Sequence, residues 1–203
     1  MSMITLYGIT RSRASRCLWM LEELGVPYER ELVNFGEAGT RSPAYLAVNP
    51  NGKLPALRDG ALTLFESMAI NLYLAEKHGP ALWPKSVEDR GQAYQWSVWA
   101  MTELEGHALT LLRQRMLLAE AERNEETART AEESLRKPFA VLEGKLEGRP
   151  YLLGDAFSVA DLNVSAVASW AKRGGMPLED FPRAQEWLTR CLERQAYKRA
   201  MKL

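Results

Sequence analysis

The hydrophobic pattern of this chain changes character near residue 85. Before that point, short apolar runs alternate with stretches of helical period. Ile4 to Tyr7 reads as a buried strand. Ala14, Cys17, Leu18, Leu21 and Leu24 then fall at helical spacing, and Gly25 with Pro27 supplies the stop. Tyr28 to Val33 reads as a second strand, followed by a loop rich in Gly, Asn and Pro from Asn34 to Lys53. Two short apolar runs, Leu54 to Leu57 and Leu62 to Leu64, are joined through Asp59-Gly60, a dipeptide that suits the centre of a tight hairpin. A helix from about Ser67 to His78 ends at Gly79-Pro80. The order is β-α-β, loop, β-β-α, which predicts a small mixed sheet covered by helices.

From Lys85 onward no strand pattern remains. Val87 to Glu122 and Glu125 to Glu147 predict long helices, the second kinked at Pro138 and ended by Gly148-Arg149-Pro150. A third helix starts at Ser158, and shorter ones occupy Phe181 to Cys191 and Gln195 to Lys202. Ser158-Val159-Ala160-Asp161 has the form of a capping box, with Phe157 and Leu162 spaced as a hydrophobic staple. The linker falls at Gly79 to Ser86, where Pro80 and Pro84 bracket Trp83. The expected domains are therefore residues 1–79, α/β, and residues 86–203, all helical.

Composition narrows the function classes. The 203 residues are 46% hydrophobic and 26% charged, the profile of a globular protein. Lys plus Arg equals Asp plus Glu, 26 each, so no net field draws the chain to nucleic acid or an anionic membrane, and neither is expected as a partner. The start carries no signal-like segment and no run is long enough to span a bilayer, so the expected location is the cytoplasm. Cys17 and Cys191 form no CxxC pair, and His78 and His107 sit in no ligand-spaced cluster, so neither a disulfide framework nor a metal site is expected.

Ala47 to Leu57, AVNPNGKLPAL, followed by Phe65 to Ile70, FESMAI, resembles the glutathione-binding half of the cytosolic glutathione transferases, here of bacterial type. The opening from Tyr7, YGITRSRASRCLWMLEELGVPYE, is similar to that family's first strand, catalytic loop and first helix. YLLGDAFSVADL from Tyr151 matches the start of its core helix. The resemblance implies a thioredoxin-like N-terminal domain and an all-α C-terminal domain, an enzyme with glutathione as cosubstrate and no metal, and a homodimer. Carried onto this sequence, it makes Glu66 and Ser67 the holders of the γ-glutamyl end. Leu54 before a cis Pro55 meets the cysteinyl part, Lys53 binds a carboxylate, and Arg41 serves the glycine end.

The chemistry required concerns the thiol. A free thiol has pKa about 8.5, so roughly 3% is thiolate at pH 7, and lowering the pKa two units represents ~2.7 kcal/mol. A hydroxyl aimed at sulfur beside a helix start supplies part of that. Ser12 stands in the loop where serine-type members carry theirs, one residue closer to Arg16 than in those members. Tyr7 stands near the position used by tyrosine-type members, so both hydroxyls stay open. Ser15 is a further candidate, and Cys17 reads as a packed core thiol rather than a nucleophile.

In the helical half, Trp96, Trp99, Met101, His107, Met116 and Trp170 suit an apolar wall, and Trp99, His107 and Met116 are the candidates for meeting a hydrophobic electrophile. The implied reaction is conjugation of the glutathione thiolate to that electrophile, a detoxification chemistry. Peroxide reduction, dehalogenation or isomerisation by the same thiolate, and a non-catalytic interaction protein of the same fold, are the alternatives.

Overall fold

In the computed structural model, which describes residues 3–203, β1 (Ile4–Tyr7) is buried along its whole length. Helix α1 (Ala14–Leu24) follows, and its left-handed Gly25 (φ 63°) donates back to the Leu21 carbonyl to end it. Because α1 carries the chain back, β2 (Tyr28–Glu31) pairs parallel to β1, from Ile4 opposite Tyr28 to Tyr7 opposite Glu31. Strands β3 (Ala56–Asp59) and β4 (Leu62–Phe65) complete a four-stranded sheet in the order β2-β1-β3-β4, antiparallel after the first pair. Helix α3 (Ser67–His78) closes this half, after a short helix α2 (Pro43–Leu46) in the preceding loop.

Four details differ from the sequence expectation. The second strand stops at Glu31 rather than Val33, because its partner β1 ends at Tyr7 and Gly8 turns away. The third strand starts at Ala56 rather than Leu54, since Pro55 has no N–H for a ladder. The hairpin turns on Gly60-Ala61, not Asp59-Gly60. Asp59 stays in the ladder opposite Leu62, its buried carboxylate accepting from Lys77 Nζ (2.6 Å) and Tyr73 OH (2.9 Å). The loop from Asn34 to Lys53 is not wholly irregular. Ser42 caps α2 by accepting from the Tyr45 N–H (3.2 Å), with Pro43 at the first helical position.

The chain divides into two units, one running to Trp83 and taking in Arg194–Leu203, the other spanning Pro84–Glu193. The last helix, α9 (Gln195–Ala200), expected above within the helical range 86–203, therefore packs with the sheet unit. The cause is the outer face of α1. Trp19 meets Tyr197 edge to face at 4.8 Å, Arg194 binds Glu23 with two nitrogens (2.6 and 2.7 Å), and Arg199 reaches Glu22 (2.7 Å).

In the other unit α4 (Val87–Trp99), capped by Ser86, runs on through a π-helical segment (Ala100–Leu104) into α5 (Glu105–Leu112) and a second π segment (Arg113–Leu117). Leu118 is extended, so this stretch ends at Leu117 and not Glu122, which lies in a separate 3₁₀ turn. Arg115 fixes the reversal by pairing with Glu125 (2.8 Å) and Glu132 (2.6 Å) of α6 (Glu125–Lys145), which contains Pro138. Helix α7 (Val159–Arg173) is buried at every residue from Val159 to Ser169, and its Asn163 donates to Ser97 of α4 (2.9 Å). Helix α8 (Pro182–Leu192) packs on it, and the indole of its buried Trp187 donates to Asp161 of α7 (2.9 Å).

Candidate active site

The loop after β1 passes very close to the start of α1. Gly8 has φ 144°, and a Cβ there would stand 2.7 Å from that of Ala14, so glycine is required twice over. The same added carbon would lie 3.7 Å from both Ser12 Oγ and the Leu54 side chain, which shows that these two residues flank one spot. Ser12 is half-buried. Its Oγ donates to the Ile9 carbonyl (2.7 Å) and accepts from the Ala14 N–H (3.1 Å), so the hydroxyl sits on the first turn of α1. Ser15 donates to the Ser12 carbonyl (3.0 Å) and is occupied there.

Tyr7 occupies a different environment. It is 3% exposed, packed with Val33, Tyr45, Leu54 and Ala56, its ring 6.2 Å from that of Tyr45. Burial pushes its phenol above the ordinary range, and the Arg58 guanidinium, 5.7 Å from the ring, offsets part of that. Cys17 is fully buried with its thiol toward the Ser67 carbonyl (3.7 Å), and burial raises its pKa, the state of an inert packed thiol.

A second wall comes from the segment before β3. The Leu54-Pro55 bond is cis, as the resemblance implied, and both residues are buried. The approach is held by the Lys53 carbonyl, which accepts from Tyr45 OH and Asn49 Nδ2, both at 2.7 Å. The Lys53 side chain itself is exposed. Arg41 is 70% exposed and paired with Glu37 (3.1 Å).

The third wall is the start of α3. Glu66 is the one non-glycine residue with positive φ among those described (φ 71°), a conformation costing about 1–3 kcal/mol that only surrounding structure maintains. Ser67 is 3% exposed, and its Oγ accepts from Arg16 Nη1 (3.3 Å). Arg16, 1% exposed, thus joins the first turn of α1 to that of α3, and Asn71 Nδ2 reaches its carbonyl (3.4 Å). Sequence reasoning missed Arg16 as well as Tyr45 and Asn49. The one signal for Arg16 was its place beside Cys17 on the apolar face of a helix.

The helical unit treats its three candidates differently. Trp99 lines a groove of about 360 Å³ between α4 and α6, with Val98, Pro138 and Val141 among its walls, and its ring meets Trp96 edge to face at 5.0 Å. His107 and Met116 are exposed and do not line this groove.

Comparison with known proteins bears on this arrangement. The family model for the glutathione S-transferase N-terminal domain matches residues 2–76, and that for the C-terminal domain matches residues 99–195. Glutathione S-transferase 1 of Zea mays is 33% identical across 100% of this chain and 98% of its own length. Glutathione S-transferase GstB of Escherichia coli K12 is 31% identical across 98% of each. Among solved structures, the theta class glutathione S-transferase of Xanthomonas axonopodis pv. citri with glutathione bound is 34% identical. It superposes with TM-score 0.89, covering 100% of this chain and 99% of that one. The chain belongs to the glutathione S-transferase family.

Proposed function

We propose that this protein is a glutathione transferase that joins the sulfur of glutathione, as thiolate, to a hydrophobic electrophile. The observation that carries this reading is the meeting of two helix starts in one unit, α1 with the Ser12 hydroxyl and α3 with Ser67, tied together by the buried Arg16. Helix starts favour anions. The start of α3, with the Ser67 hydroxyl and the Arg16 charge behind it, suits the γ-glutamyl carboxylate, while exposed Glu66 is placed for the ammonium. The Leu54 main chain meets the cysteinyl part, and Lys53 and Arg41 serve carboxylates from the rim.

With the tripeptide so held, its sulfur falls to the start of α1. There the Ser12 hydroxyl, now given to the Ile9 carbonyl, turns to donate to sulfur and favours the ionised form. The thiol proton leaves to solvent. The sulfur lone pair then forms a C–S bond at the electrophilic carbon as the leaving group departs with its electron pair. Tyr7, held in the core, is the poorer donor because burial makes its hydroxyl less acidic. For the electrophile, Trp99, His107 and Met116 of the helical unit are the side chains to vary first.

Calorimetric titration should show saturable binding at millimolar glutathione, and the same preparation should turn over glutathione with a reactive aryl halide. Binding without turnover would move the protein to the non-catalytic reading, and absence of both would remove glutathione from the account. The proposal extends to a homodimer acting in the cytoplasm. Sedimentation is expected to give twice the mass of one chain, and a single-chain mass across micromolar concentrations would refute the dimer.

A further inference from the structure

Arg30 of β2 commits three guanidinium nitrogens to main-chain and side-chain oxygens, two of them in the loop that carries Ser12. Its Nη2 donates to Thr10 Oγ1 (2.8 Å) and its Nε lies 3.4 Å from the Gly8 carbonyl, so one planar fork grips the chain on both sides of Ile9. Ile9 is the residue whose carbonyl receives both the N–H (3.0 Å) and the hydroxyl (2.7 Å) of Ser12. Its side chain packs on the cluster of Tyr7, Tyr45 and Leu54. The remaining nitrogen, Nη1, donates to the main-chain oxygen of Leu203 (2.8 Å). Leu203 follows α9, which Arg194, Tyr197 and Arg199 hold to α1. The loop is thus fixed at one side by apolar packing and at the other by a cation that spans from the loop to the carboxy-terminal segment.

We infer that Arg30 is a positioning residue for the thiol-activating loop, setting the place of the Ile9 carbonyl and, through the Ser12 N–H that this carbonyl still holds when the hydroxyl turns to sulfur, the place of Ser12, with the segment after α9 as the second anchor of its guanidinium. The inference rests on the proposed role of Ser12. Arg30 touches no reacting atom in this account. Its effect is to keep a short loop from drifting, because a hydroxyl displaced by a few tenths of an ångström from bound sulfur donates less strongly. Lysine cannot reproduce it, since one ammonium cannot span Gly8, Thr10 and Leu203 in a plane.

The test follows the ultraviolet thiolate band of the glutathione complex against pH, with steady-state rates on an aryl halide. In Arg30→Met the thiol midpoint is expected to rise by about one unit, a tenfold loss of thiolate below the midpoint. Turnover falls with the thiolate fraction, nearly tenfold at about pH 5.5 and about threefold at about pH 7 for a wild-type midpoint near ~6.5, while KM for glutathione changes by less than about threefold, the split that marks a transition-state effect. Thr10→Val leaves the charge in place and shifts the midpoint the same way by a smaller amount, and it carries the test should Arg30→Met not fold. Arg30→Lys keeps the charge without the fork. A wild-type midpoint in Arg30→Lys together with Thr10→Val shows that charge alone acts, and an unshifted Arg30→Met shows no role at all. Either result overturns the inference. A wild-type complex that binds glutathione yet shows no thiolate band overturns the Ser12 reading beneath it, which a variant-only failure leaves standing.

Discussion

Asp161→Ala is expected to destabilise the helical unit by about 3 kcal/mol, on the order of a 10 °C fall in its Tm. The carboxylate is buried at the start of α7, where Oδ1 accepts from the Leu152 N–H (2.8 Å) and Trp187 Nε1 (2.9 Å), and Oδ2 from the N–H (3.0 Å) and hydroxyl (2.9 Å) of Ser158. One side chain therefore ties the segment before α7, the cap of α7 and the indole of α8. Alanine leaves two main-chain N–H groups and an indole N–H buried without acceptors, each costing about 1–3 kcal/mol. Part of that is returned, because burial raises the Asp161 pKa above its usual 3.8 despite the four donors that pull it down. The sign of the pH dependence follows. A raised folded pKa means the native state binds the proton more tightly than the unfolded chain, so this group's contribution is full below 3.8 and declines as pH rises through the folded value. The gap in Tm between wild type and Asp161→Ala should thus be at least as wide in mild acid as at neutral pH. A gap that closes on acidification would show the anion to be the stabilised form. Thermal scans followed by tryptophan fluorescence report both quantities.

What the sequence disclosed was whatever short-range chemistry decides. β1, α1, α3 and the Ser158–Asp161 box were legible because period, cap and stop residues lie within a few positions of one another. Long-range partners hid the rest. The hairpin turn moved by one residue because Asp59 answers to Lys77 and Tyr73, far along the chain. The last helix left the helical half because Glu22 and Glu23 wait for Arg199 and Arg194 at separations of 177 and 171 residues. The site divides in the same way. Ser12 and Ser67 could be named because the resemblance rests on short motifs that run into helix starts, whereas the burial of Arg16 against Ser67 and the positive φ of Glu66 are recorded in no local pattern.

Ser12→Ala is expected to lower turnover at pH 6.5 by about 50-fold, and the loss should shrink steadily between pH 6.5 and 8.5, to about twofold at pH 8.5. The figure follows from the thiol. If the site brings the bound thiol from about 8.5 to about 6.5, half is thiolate at pH 6.5, against about 1% once the pKa returns to its free value. A hydroxyl donating to a charged acceptor contributes about 1.5–3 kcal/mol, enough for one to two units, so the full effect requires that Ser12 supply most of the shift. Above pH 8.5 the thiol ionises unaided and the variant recovers, which separates lost ionisation from lost binding. The substitution also removes the acceptor of the Ala14 N–H and so costs α1 about 1 kcal/mol, visible as a small fall in Tm that is independent of the rate profile. Tyr7→Phe is the control. The residue is packed among Val33, Tyr45, Leu54 and Ala56, and turnover within about threefold of wild type with an unshifted pH profile is expected from an uninvolved group. If instead Tyr7→Phe moves the profile and Ser12→Ala does not, the donor is the phenol, and the core cluster around Tyr45 and Leu54 must open toward sulfur when the tripeptide binds.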